Sequence, residues 1–211
     1  MFFIALITKF IFLPLSLSDN IKGIYEISLK IQGTGYQVIL YGRERMPDKV
    51  IINGEEQNYN EVMYKLKDNN NNITIIWNNM PSLKELFYLC DTIISIDFSR
   101  FDSSQESDIS GMFKGCKKLK YINFNNFNTS SVEKMDQMFL DCISLVYLDL
   151  SNFNTKSTIS MEGMFQNTES LISLDLTSFD TSKITNMKSM FNNCKSLIYI
   201  NLNSFIEIRM L

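Results

Sequence analysis

One periodicity constrains this chain more than any other property: from about Trp77 onward it repeats itself every 26 residues. Met-Phe stands at 112–113, 138–139, 164–165 and 190–191. Cysteines stand at 90, 116, 142 and 194, with Thr168 in the remaining slot of that series. Leu119-x-x-Ile122-x-Phe124 recurs as Leu145-x-x-Leu148-x-Leu150, Leu171-x-x-Leu174-x-Leu176 and Leu197-x-x-Ile200-x-Leu202. An earlier, weaker copy is Ile93-x-x-Ile96-x-Phe98, and three residues after each copy stands Phe101, Phe127, Phe153, Phe179 or Phe205. A single unit of this size cannot bury its own apolar face, so the copies must stack and share a core.

L-x-x-L-x-L at this period predicts a leucine-rich repeat solenoid. Each unit supplies a short strand with alternate residues inward, so Ile122 and Phe124 point to the core while Tyr121 and Asn123 face out. The other half of the unit reads Met135-x-x-Met138-Phe139-x-x-Cys142, a spacing of three, four and seven that marks one helical face. It predicts a short helix over 131–140 and its counterparts, entered through turn and N-cap residues such as Thr129, Ser130 and Ser131 or Asp180, Thr181 and Ser182. The expected fold class is therefore α/β: a solenoid over 73–211 with a parallel sheet on one face and short helices on the other. A β-rich N-terminal cap over 19–72 precedes it. There the alternation Ile27, Leu29, Ile31, then Val38 and Leu40, then Val50 and Ile52 predicts three short strands. Asn58–Lys67 suits a helical turn or two, and Asp68–Asn72 a polar loop. Gly33-Thr34-Gly35 lacks the third glycine and following helix of a nucleotide loop.

Met1–Ser18, MFFIALITKFIFLPLSLS, is unlike the rest of the chain. A lone Lys9, the apolar run Phe10–Leu13, Pro14 and the small-residue series ending at Ser18 have the order of a secretory signal peptide cleaved near Ser18. The alternative is an uncleaved anchor, for which the run is short and Lys9 intrusive. Beyond it no stretch is long and apolar enough to span a membrane. The expected location is extracellular or at the cell surface.

Several function classes lack their residues. The chain has no histidine, so no Ser-His-Asp or Cys-His pair and no His-ligated zinc can be assembled. A net charge of -3 and a pI near 5.1 are wrong for nucleic acid. No metal-loop motif and no cofactor motif occurs. Cys90, Cys116, Cys142 and Cys194 fall on one column about a coil apart. They form either a ladder of buried thiols or, in an oxidising compartment, disulfides of which Cys90–Cys116 is the pair to test.

The outward strand positions form three columns: Ser95, Tyr121, Tyr147, Ser173, Tyr199; then Asp97, Asn123, Asp149, Asp175, Asn201; then Ser99, Asn125, Ser151, Thr177, Asn203. Tyr121, Tyr147 and Tyr199 offer rigid, amphipathic contact area of the kind that binds protein. Asp97, Asn123, Asp149, Asp175 and Asn201 flank them, either as part of the same face or as a solvated ladder. Adjacent carboxylates on an open face lack the water-excluding cleft of a glycosidase. Asn72-Ile73-Thr74 and Asn128-Thr129-Ser130 are glycosylation sequons, expected in exposed turns.

The phrase M-x-x-M-F-x-x-C-x-x-L-x-x-L-D-L-S-x-F-x-T-S, best seen at Met135–Thr155 and Met161–Ser182, resembles the 26-residue repeat of BspA-like leucine-rich repeat surface proteins. The resemblance covers about Trp77–Phe205. It departs at Thr168, at Thr158 where other copies have Val132 or Ile184, and after Phe205. The resemblance implies an extracellular or cell-envelope protein that adheres to, or binds, host or matrix proteins, and it brings no catalytic residues. The expected role is noncatalytic protein binding or adhesion through the sheet face. Two alternatives stay open: a structural or truncated repeat protein without a ligand, and an enzyme using the Asp column. The apolar run Phe205–Leu211 breaks off mid-repeat and leaves self-association through that end a further expectation.

Overall fold

The computed structural model describes residues 25–42, 45–58 and 63–205. The expected signal segment Met1–Ser18 and the run after Phe205 lie outside the described residues.

Among the described residues six strands build the cap: β1 (Tyr25–Gln32), β2 (Gly35–Val38), β3 (Lys49–Ile52), β4 (Glu55–Gln57), β5 (Met63–Leu66) and β6 (Asn70–Trp77). The solenoid contributes β7 (Ile93–Asp97), β8 (Tyr121–Asn123), β9 (Ser173–Asp175) and β10 (Tyr199–Asn201). Cap and solenoid share one sheet in the order β4-β3-β6-β1-β7-β8. β1 is its pivot, antiparallel to β6 through Leu29↔Ile73 and to β7 through Leu29↔Ile96. An exposed edge on β7 would be a template for aggregation, and β1 covers it. One apolar core, from Ile27, Leu29, Ile31 and Ile75 to Phe179 and Met190, runs through both regions, and β6 crosses the 72/73 division.

The three strands expected before Asn53 form. The stretch expected to be helical does not: Met63–Leu66 is β5, paired antiparallel with β2, so Tyr64 and Leu66 are buried while Met63 and Lys65 face out. The expected loop Asp68–Asn72 is shorter than its composition suggests, because β6 begins at Asn70. Asn71 is buried there, and its side chain donates to Asp68 O (2.6 Å) and Gly33 O (3.3 Å) and accepts from Asn53 Nδ2 (3.0 Å).

The helices expected behind the sheet are also corrected: the described residues contain no α-helix. Residues 131–142 instead form overlapping turns, with Met138 N–H donating to Met135 O, Leu140 N–H to Gln137 O and Cys142 N–H to Phe139 O. Gln137 (φ 55°) and Asp141 (φ 62°) are left-handed, a conformation no α-helix tolerates. Alternate N–H groups cross to the next coil: Phe87 to Met112 O, Phe113 to Met138 O, Phe139 to Met164 O and Phe165 to Met190 O, all at 2.9–3.0 Å. A helix would have kept those donors for itself. Turns three or four residues apart return the chain to the same face, so their spacing imitates a helix. The discriminating signal is the column Gly115, Asp141, Asn167, Asn193, residue types that favour positive φ, and all four adopt it.

Stacking produces the ladders. Phe87, Phe113, Phe139, Phe165 and Phe191 lie nearly parallel, 5.5–6.0 Å between successive ring centroids. A second set, Phe127, Phe153 and Phe179, is spaced 6.2–6.4 Å. The Thr of F-x-T-S is not an N-cap. Ser103, Thr129 and Thr155 are buried, and each hydroxyl bridges both backbone groups of one residue in the following coil. Thr129 Oγ1 donates to Asn154 O (3.0 Å) and accepts from Asn154 N–H (2.8 Å). Ser103 does so for Asn128, and Thr155 for Asp180. The departure at Thr158 is accommodated because its buried hydroxyl donates to Val132 O (2.9 Å). In the first coil the same column holds Glu106, whose carboxylate accepts the N–H groups of Leu83, Ser107 and Asp108.

Candidate binding face

Tyr121, Tyr147 and Tyr199 stand out from the sheet face with 57–65% of their surface exposed, as the alternation requires. The structure brings Tyr121 and Tyr147 to adjacent coils. The residue before each tyrosine column position adds a feature that the L-x-x-L-x-L reading passes over: Val146, Ile172 and Ile198 are exposed aliphatics, Ile198 at 86%. Their repetition at one phase of the period was the signal. Together with the tyrosines they make a ridge of two neighbouring exposed columns, with Lys120 in the same column of the preceding coil.

Serine interrupts the tyrosine column twice, and a cavity opens at each interruption. One, of about 440 Å³, opens at Ser95 among Ser28, Lys30, Thr74, Asp97 and Tyr121, across the junction of cap and solenoid. The other, of about 500 Å³, opens at Ser173 among Tyr147, Tyr199, Asp149, Asp175 and Thr177. It coincides with a break in the sheet: residues 147–149 form no strand, and Ile172 N–H to Val146 O (3.3 Å) is a remaining backbone link there.

The Asp/Asn column ends each strand. Asp97, Asn123, Asp149, Asp175 and Asn201 each accept, through Oδ1, the N–H two residues on, at 2.8–3.3 Å. This Asx turn explains why only Asp or Asn occupies the column. Asn123 Nδ2 also donates to Asp97 Oδ1 in the coil before (3.1 Å). The backbone N–H and hydroxyl of Thr177, with the Asn201 side chain, hold the Asp175 carboxyl below the usual carboxylate range. Asp175 is therefore ionised at neutral pH beside Asp149.

The cysteines are free thiols, with Cys90, Cys116 and Cys142 buried and Cys194 half-buried. Burial pushes all four thiols up. Cys116, Cys142 and Cys194 each donate S–H to the carbonyl of the ladder phenylalanine 29 residues earlier, at 3.1 Å. Thr168 donates instead to Phe165 O within its own coil and meets Cys194 Sγ at 3.3 Å. Protonated and inward, these thiols are core groups. Of the sequons, Asn128 is exposed outside any strand, its Oδ1 accepting the Ser130 N–H (2.9 Å). Asn72 is exposed but lies within β6 rather than in a turn. Among the described residues no three His, Cys, Asp or Glu side chains converge as a metal would require, and no helix is long and apolar enough to cross a membrane.

A family profile matches residues 81–205, more than half the chain and nearly all of the solenoid. The chain belongs to that family, described as "Mycoplasma protein of unknown function, DUF285". The DUF285 segment begins in the first coil and ends at the last described residue, so the cap strands lie outside it. Among solved structures, a leucine-rich repeat protein of T. pallidum (TpLRR) is 16% identical, with a TM-score of 0.38. That alignment covers 59% of this chain and 62% of the other, so the match spans less than two thirds of the T. pallidum protein. No curated protein sequence matches the chain.

Proposed function

We propose that this DUF285 protein is a noncatalytic module of the extracellular space or cell surface that binds another protein, as an adhesin does, through the ridge on its sheet face. The observation that carries the reading is that ridge: Tyr121, Tyr147 and Tyr199 beside exposed Val146, Ile172 and Ile198. Exposed apolar residues in rows, backed by a rigid ladder, cost little entropy to dock and gain free energy when covered. The Met1–Ser18 composition supports the location.

The experiment replaces Tyr121, Tyr147 and Tyr199 together by Ser, the residue that the column itself carries at 95 and 173. The fold is expected to survive, and adhesion to cells or matrix to drop by about tenfold or more. Undiminished adhesion with an intact circular dichroism spectrum would leave the ligand-free structural reading in its place. Secreted material from the same preparation should begin at Asp19 on N-terminal sequencing.

A further inference from the structure

The cavity at Ser173 has a chemistry that the one at Ser95 lacks. Its lining carries two carboxylates, Asp149 and Asp175, and no basic residue, and it has a tyrosine on either side. The cavity at Ser95 has one carboxylate, Asp97, one lysine, Lys30, and one tyrosine. Tyr147 and Tyr199 are two coils apart, which at the strand spacing of about 4.8 Å separates their columns by about 10 Å. A cation midway lies about 5 Å from each, within the roughly 6 Å reach of a cation–π contact. Ser173 keeps the space between them clear.

We propose that this cavity seats an arginine side chain of the bound protein, its guanidinium between the rings of Tyr147 and Tyr199 and paired with Asp149 and Asp175. The proposal rests on the binding role given above and names the partner's chemistry at that face. A cation placed beside two carboxylates is attracted to both. Guanidinium fits better than ammonium because it is planar, weakly hydrated and presents N–H groups along two edges, one for each carboxylate. The Asx turns take Oδ1 of Asp149 and Asp175; Asp175 also accepts from the Thr177 hydroxyl and the Asn201 side chain, so the guanidinium joins a network of donors already aimed at that carboxylate. The chain's net charge of -3 favours a basic partner on approach.

The column identities supply substitutions that leave the coil intact. Asn already makes the same turn at 123 and 201, so Asp149→Asn and Asp175→Asn remove charge without removing the turn. Tyr already stands in its column at 121, 147 and 199, so Ser173→Tyr fills the slot with a residue the coil accepts. The probe is the blocked tripeptide acetyl-Gly-Arg-Gly-amide, titrated into the full chain carrying ring-labelled tyrosine and followed by NMR. Saturable shifts are expected at Tyr147 and Tyr199 and not at exposed Tyr36, which lies on the cap. The lysine analogue should bind about fivefold more weakly. Each Asp→Asn variant should weaken arginine binding about fivefold, and Ser173→Tyr about tenfold or more. Glu133→Gln, an exposed change of the same charge elsewhere, should leave it unaltered.

Equal loss in Glu133→Gln would mean bulk electrostatics alone and would overturn the proposal. Equal shifts from the leucine analogue would assign the cavity to an apolar occupant, and shifts at these rings on concentrating the protein alone would assign it to a second copy; either outcome overturns it, as does the absence of any shift. If the arginine effects fail while the tyrosine-to-serine variant still loses its partner, protein binding stands without this pocket. If both fail, both readings fall.

Discussion

Phe139→Ala is expected to lower the unfolding free energy by about 3–5 kcal/mol. Phe139 is fully buried at the middle of its ladder, 5.5 Å from Phe113 and 5.7 Å from Phe165, centroid to centroid, with Phe124 edge-on at 6.4 Å. Its removal leaves a cavity facing both neighbouring coils, and turns held by interlocked backbone bonds cannot collapse into it. A stacked-coil protein transmits stability through nearest-neighbour contacts, so loss at a central coil also weakens the coupling between the two ends. Since whole domains are stable by only about 5–15 kcal/mol, one ring is a large share of the total. Urea titration followed by circular dichroism measures it. Phe191→Ala, at the half-buried end with Phe165 as a single ladder neighbour, should cost about half as much or less. A central loss below that of the terminal variant would contradict the ladder as the main source of stability.

Thr129→Val is expected to cost about 2–3 kcal/mol although it keeps the side chain's shape. The hydroxyl bonds both the N–H and the carbonyl of Asn154, and valine would leave these two part-buried backbone groups without that partner. Thr129→Ser should cost under about 1 kcal/mol, because Ser103 performs the same bridge one coil earlier. The contrast between Val and Ser in chemical denaturation isolates the hydrogen bonds from the packing. Equal effects would show that the column is merely a filler.

The same rigidity bears on binding. Ladders of Phe, Cys and Thr hold successive coils in register, so outward columns repeat at fixed spacing and few side chains need ordering when a partner docks. The broken strand pairing at 147–149 is where this regularity fails, and the Ser173 cavity lies there. Asp149, Asp175, Tyr147 and Tyr199 are thus drawn from columns that elsewhere serve the coil, and only their combination at one opening is peculiar.

Inside and outside are legible in the chain's own pattern. A 26-residue period forces stacking, and with stacking each column must be core or surface for every coil at once, so Phe87, Met112 and Cys116 can only lie inward and Tyr121 outward. Local conformation is less legible. Met135, Met138, Phe139 and Cys142 satisfy a helix and a run of overlapping turns equally well, because both return to one face every three or four residues. The choice is made between coils, where alternate N–H groups find carbonyls 25 residues ahead and so cannot close helical turns. For the same reason Met63–Leu66 is a strand: β2 supplies the partner, and pairing across the chain overrides a weak local preference. Nor does any local pattern show that β1 bridges β6 and β7, since strand order is settled by which edges need covering. The tyrosines and acids of the candidate face were visible as columns, but the two cavities were not. They depend on what stands one coil before and after each serine, a relation across 26 residues that exists only once the coils are stacked.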